Sequence, residues 1–157
     1  MSTDLIRMCE EQEERFQFSS FTQNDARKLG EVIWQVSQSF DKPAAIEIRL
    51  NGLTVYRFFP DGTNRNNEVW LRCKANSVDT LGISSYHLFA QLEESGETLA
   101  ERRMDPDCYA ACGGGFPLRV RGCAVSGTIC VSGLPHEQDH QLIIDSLEKY
   151  FELYERT

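Results

Sequence analysis

The sequence predicts a mixed α+β domain, one antiparallel sheet with helices packed against it. Three observations lead there. Apolar residues recur at helical spacing in an early and a late segment, Ile46 to Leu50 alternates at the period of a strand, and Asn51-Gly52 is a strong hairpin signal because both residues tolerate positive φ.

The elements follow in order. Leu5 to about Glu14 reads as a short charged helix ending near Phe16-Gln17-Phe18. Thr22-Gln23-Asn24-Asp25 resembles a capping box with Asp in place of Glu. Ala26, Leu29, Ile33, Val36 and Phe40 then lay one apolar stripe on a core, until Lys42-Pro43 stops the helix. Ile46, Ile48 and Leu50 alternate with Glu47 and Arg49, a strand with one wet face, and Leu53 to Phe59 returns as its hairpin partner. After the polar stretch Asp61 to Glu68, Asn66 to Lys74 and Ser84 to Glu94 read as helical pieces. The second is capped by Ser84-Ser85, with Leu88, Phe89 and Leu92 turned inward. Ala75 to Ile83, between them, fits neither period. Asp105-Pro106-Asp107 is a turn, Gly113-Gly114-Gly115 a loop, and Leu118 to Arg121 with Ala124 to Val131 an antiparallel pair around Gly122. The last helix runs from about Pro135, at its first helical position, to Tyr154, with Ile144, Leu147, Phe151 and Tyr154 on one face.

At 157 residues the chain is expected to form a single domain, 1–157, with room for a full core. No apolar run reaches the length of a membrane span, so no membrane insertion is expected. The acidic start MSTDLIRMCEEQEERF is unlike a signal peptide, which predicts a cytoplasmic protein. Six cysteines at 9, 73, 108, 112, 123 and 130 form no C-x-x-C pair, and in a reducing compartment most should act as small buried apolar residues. A net charge of −8 argues against nucleic acid as partner while leaving room for a local basic pocket.

His136-Glu137-Gln138-Asp139-His140 has the H-E-x-x-H spacing of a zinc peptidase, with His136 and His140 as ligands and Glu137 activating a water. Its placement is poor. His136 falls in the opening turn, where frayed and solvated backbone is expected, and a third ligand would have to come from His87 upstream. Glu137 and Asp139 are explained equally well as acids complementing the positive end of a helix dipole. A metal-dependent hydrolase through His136, Glu137 and His140 therefore ranks third among the functional readings, and no metal is predicted.

The block Gly114-Gly115-Phe116-Pro117-Leu118, Gly122, Val125, Gly127, Ile129, Val131-Ser132-Gly133 and Asp139 resembles the signature of the haem-degrading-domain family, the GlcG-like and HbpS-like proteins. The nearer likeness is to its branch of small stand-alone uncharacterised proteins. There the last strand runs into V-S-G-L-P, then an acidic stretch and D-H, here Val131 to Pro135 and Asp139-His140. Glu11-Gln12-Glu13, Phe18 to Phe21, Leu29-Gly30, Ile46 to Leu50, Asn66-Asn67, Trp70, Lys74, Ser84-Ser85-Tyr86 and Tyr109 extend the likeness over nearly the whole chain. The resemblance implies a profilin-like sandwich that assembles into a ring or stacked-ring homo-oligomer, and haem as the candidate cofactor. It also implies that H-E-x-x-H is an accident of one substitution, since D-H is the recurring pair. The chain departs from the branch at Arg72-Cys73, where two adjacent basic residues are usual, and over Val78 to Ile83, where an apolar strand with a basic residue is usual. Both departures thin a positive patch, and fold alone does not license function.

Three groups of residues could hold a ligand. Gly113, Gly114 and Gly115, followed by Phe116, could form a nest of backbone N–H groups for a carboxylate or phosphate, or the loop could simply need to pass close to a neighbour. Asn66, Asn67, Trp70, Arg72 and Lys74 could offer an aromatic platform beside cations, suited to a planar anionic ligand such as a tetrapyrrole, or an oligomer interface. His140 lies one turn before Ile144 on the apolar stripe, where a hydrogen-bonded edge-of-core histidine is the commoner role. His87, His136, His140 and the cysteines are the available iron ligands, and nothing in the sequence selects one. The leading expectation is a homo-oligomeric protein with a pocket for a small anionic ligand, haem or another tetrapyrrole. The alternative is a non-enzymatic assembly or adaptor protein with a protein partner.

Overall fold

The computed structural model describes residues 2–155. Helices α1 (Ser2–Arg15) and α2 (Gln23–Ser37) precede a hairpin of β1 (Ala45–Leu50) and β2 (Leu53–Phe58). Helices α3 (Arg65–Leu81) and α4 (Ser85–Ser95) follow, then a short 3-10 turn at Ala100–Arg102, strands β3 (Gly115–Arg119) and β4 (Val125–Ser132), and helix α5 (His136–Tyr154). The sheet runs β2-β1-β4-β3 with every neighbouring pair antiparallel. The α+β class and the flanked antiparallel sheet are as expected.

Alternation along the strands sends their side chains to two covered faces. Ile46, Ile48, Phe116, Leu118, Ile129 and Val131 meet Leu29 and Ile33 of α2 and Leu142, Ile143 and Leu147 of α5 in the main core. On the opposite face Ala45 and Cys130 meet Leu71 and Ala75 of α3. The expected wet face of β1 is thus covered. Glu47 is 1% exposed beneath α3, and its carboxylate accepts hydrogen bonds from Arg49 and Arg57. A charge under a helix must be paired to be tolerated, and two guanidinium groups do that here.

Other boundaries move for local reasons. The Thr22–Asp25 capping box is present, but α2 stops at Ser37 and Phe40 packs from the following turn. The ambiguous stretch from Ala75 is helix, because α3 continues to Leu81 and ends on Gly82 in the left-handed conformation at φ +70°. Its start is a capping box made from Asn64 and Asn67. Strand β3 begins at Gly115, three residues before the expected Leu118, and Pro117 is tolerated because β3 is a sheet edge. Pro135 is the residue before the first turn of α5, not in it, and its carbonyl accepts from Gln138 and Asp139 N–H. Among the described residues no helix is long and apolar enough to cross a membrane. Three of the cysteines are buried, Cys112 is half-buried, and Cys108 and Cys123 are exposed.

Candidate functional site

The first turns of α3 and α5 line one pocket where β4 ends, and a buried ion pair runs from the third turn of α3 to the first turn of α5. Lys74 donates to Asp139 Oδ2 at 3.0 Å and to the carbonyl of Val131 at 2.9 Å. Asp139 Oδ1 accepts the N–H of Leu134 at 3.0 Å, which secures the chain entering α5 in place of a side-chain cap. Burial pushes the Asp139 carboxyl above its usual range, against the opposing pull of Lys74 and the N–H groups of Leu134 and Gly133. Asp139 is therefore a structural partner of Lys74 rather than a solvated dipole charge.

The glycine loop lies on this pair, and the reason is close approach. A Cβ on Gly113 would lie 2.1 Å from the His136 carbonyl oxygen, and one on Gly114, at φ +120°, would lie 2.5 Å from Lys74 Nζ. The nest reading is corrected by the same geometry. Gly113 N–H donates to His136 Nδ1 at 3.0 Å and Gly115 N–H to Ser85 Oγ at 2.9 Å, so these donors are already used within the chain.

Around the pair opens a pocket of about 360 Å³, lined by Asn66, Asn67, Trp70, Lys74, Cys112, Ser132, Gly133, Leu134, His136 and Asp139. Its size is at the low end for small-molecule sites. Trp70 is 44% exposed, whereas Lys74 is 2% exposed. Asn66, Trp70 and Lys74 come together as their helical spacing implies. Arg72 does not join them, because two residues along a helix from Trp70 it faces solvent. Phe116 is 1% exposed in the main core, and His140 is 1% exposed and outside the pocket lining. Asn67 joins Asn66 in the lining as their cluster implies, and Cys112 and His136 line it too, while Ser132 is a lining residue that no pattern in the sequence assigns to a ligand site.

Each histidine is engaged. His136 Nδ1 accepts from Gly113, so the neutral ring carries its proton on Nε2, and the ring is half-buried against Phe89 and Tyr86 rather than frayed. His140 Nε2 lies 2.7 Å from Gln12 Oε1, and burial holds its pKa down to about 4. His87 Nδ1 meets both oxygens of Glu13 at 3.1 Å, where α1 packs on α4. The two histidines of H-E-x-x-H thus turn to different partners. Among the described residues no three His, Cys, Asp or Glu side chains are grouped so as to hold a metal ion.

This donor set is a poor match to haem iron. His136 has its lone pair occupied, His140 is walled in by Tyr86 and Phe116, and burial raises the Cys112 thiol pKa, which disfavours a thiolate ligand.

The family described as "Haem degrading protein HbpS-like" matches residues 21–148. The chain belongs to the HbpS-like family. A UPF0303 protein of Streptomyces coelicolor is 37% identical over 146 residues, covering 92% of each chain. A UPF0303 protein of Yersinia enterocolitica is 38% identical over 146 residues, covering 92% of this chain and 87% of its own. Among solved structures, the Ybr137w protein superposes with a TM-score of 0.88 at 29% identity, over 96% of this chain and 90% of that one. The PduOC:haem complex superposes with a TM-score of 0.69 at 17% identity, over 82% of this chain and 94% of that one, and at that identity it shares the fold alone.

Proposed function

We propose that this chain is a cytosolic binding protein that takes a small anionic ligand in the pocket between α3 and α5, with tetrapyrroles as the first class to test. One observation carries the reading: the first turns of two helices line the same pocket as a buried lysine. The start of α5 has no side-chain cap, so its opening N–H groups and positive dipole end suit a carboxylate or phosphate, whereas α3 is capped by Asn64 and adds only its dipole. Trp70 at the rim adds a flat apolar surface for the body of the ligand. Membership of the HbpS-like family and the haem complex of a neighbour of similar fold support the tetrapyrrole class.

The test is thermal unfolding of the protein against a panel of carboxylates, phosphates and tetrapyrroles. A true ligand raises the melting temperature in proportion to the logarithm of its concentration over Kd. Trp70→Ala should abolish that rise. If no member of the panel stabilises the protein, the ligand reading is lost.

A second reading has its own support. Val69 and Trp70 are 41% and 44% exposed side by side on α3, a surface of the kind used in subunit contacts. On this reading the protein is a homo-oligomer, in rings or stacked rings, and acts through protein contacts. Sedimentation of Trp70→Ala would then show smaller particles than the parent.

A further inference from the structure

We infer that the pocket recognises a tetrapyrrole through its carboxylates and the face of Trp70 with no histidine on the metal, so that a metal-free porphyrin binds as tightly as haem. The inference rests on the ligand-pocket reading and adds to it which part of the ligand is read.

The carboxylate and imidazole acceptors of the pocket are already occupied. Asp139 uses Oδ2 for Lys74 and Oδ1 for Leu134 N–H, and His136 uses Nδ1 for Gly113 N–H. Donors remain. An ammonium has three N–H groups, and Lys74 commits two of them, to Val131 and Asp139. His136 carries Nε2–H, which faces Glu137 Oε1 at 3.5 Å, and Asn66 contributes an amide, donor and acceptor both, to the lining. A lining whose histidine and carboxylate lone pairs are all taken, with Lys74 N–H left over, suits an anionic oxygen better than a metal ion. For His136 to ligate iron through Nε2, its proton would have to move to Nδ1, leaving Gly113 N–H facing another N–H. The close approach of Gly113 to the His136 carbonyl gives the loop no room to retreat inward. His140 Nδ1 has no hydrogen-bond partner among the described residues, yet the ring is 1% exposed and packed against Tyr86.

The experiment uses the full chain with Trp34→Phe, so that Trp70 is the only tryptophan, and reads its quenching by haemin, by metal-free protoporphyrin and by the protoporphyrin dimethyl ester. Haemin and protoporphyrin should bind within about threefold of each other, and the ester about tenfold or more weakly, the loss expected for charge-assisted hydrogen bonds. His136→Gln, whose amide oxygen can still accept from Gly113, should leave the Soret band of the haemin complex in place. Haemin binding more than about tenfold tighter than protoporphyrin, with a low-spin Soret band that His136→Gln shifts, overturns the inference while keeping the pocket. Equal binding of the ester overturns the carboxylate half of it. If neither porphyrin quenches Trp70 while another anion from the panel stabilises the protein, the inference falls and the pocket reading stands. If nothing binds, both fall.

Discussion

Lys74 Nζ lies 3.0 Å from Asp139 Oδ2, and each side chain is 3% exposed. The two residues are 65 positions apart, so this contact fastens α3 to α5 across the end of the sheet. Removing one partner strands a buried charge. Asp139→Ala should cost about 3–5 kcal/mol in urea unfolding at neutral pH. Lys74→Met combined with Asp139→Ala should cost less than the sum of the single changes, since no unpaired charge then stays buried. Strict additivity would show that the pair does not couple.

Gly114 lies against that lysine, and its substitution separates crowding from backbone preference. At Gly52, with φ +82°, a Cβ would meet nothing within 4 Å, so Gly52→Ala should cost about 1 kcal/mol from conformation alone. Gly114→Ala meets Lys74 Nζ and the Val131 carbonyl oxygen at 2.5 and 2.7 Å besides its φ of +120°. It should cost about 3 kcal/mol or more. Equal losses for the two variants would mean that the loop can lift off the lysine.

Most of the fold is legible in the chain, because the signals for β1, β2, α2 and α5 are local. The asparagine-built cap of α3 and the residues from Ala75 to Leu81 are harder to read, since that helix is held by packing on the sheet more than by its own apolar stripe. The site is half legible. Asn66, Trp70 and Lys74 share a helix face, so spacing alone groups them. The role of Asp139 depends on a lysine 65 residues away, and the occupation of the glycine N–H groups depends on His136 and Ser85. No local pattern encodes either. The H-E-x-x-H spacing presents His136 as a metal ligand, whereas its geometry makes it a partner of the loop.

Trp70 gives the sharpest division between folding and binding. With 44% of its surface exposed, truncation should cost about 1 kcal/mol. Trp70→Ala should therefore melt only a few degrees below the parent in the absence of ligand and lose the ligand-dependent rise. A large fall in the unliganded melting temperature would instead place Trp70 in a subunit contact.

His140 should make the protein sensitive to acid in a defined window. Burial, helped by the neighbouring His136, lowers its folded pKa from 6.5 to about 4. Below pH 6.5 the unfolded ring takes up a proton that the folded ring refuses until about pH 4. The contribution is therefore fully present above pH 6.5 and is lost progressively down to about pH 4, for a total of about 3 kcal/mol. The raised Asp139 carboxyl acts with the opposite sign, gaining stability as pH falls, so the parent's profile alone mixes the two. Comparison with His140→Gln separates them, because Asp139 is common to both proteins. At pH 7 the variant should be the less stable protein, having lost the ring packed on Tyr86. Urea midpoints measured from pH 7 to pH 4 should show that gap closing by about 3 kcal/mol. A gap that stays constant across the window would mean that His140 takes up its proton equally in the folded and unfolded protein, and that its surroundings on α5 are wetter than its burial implies.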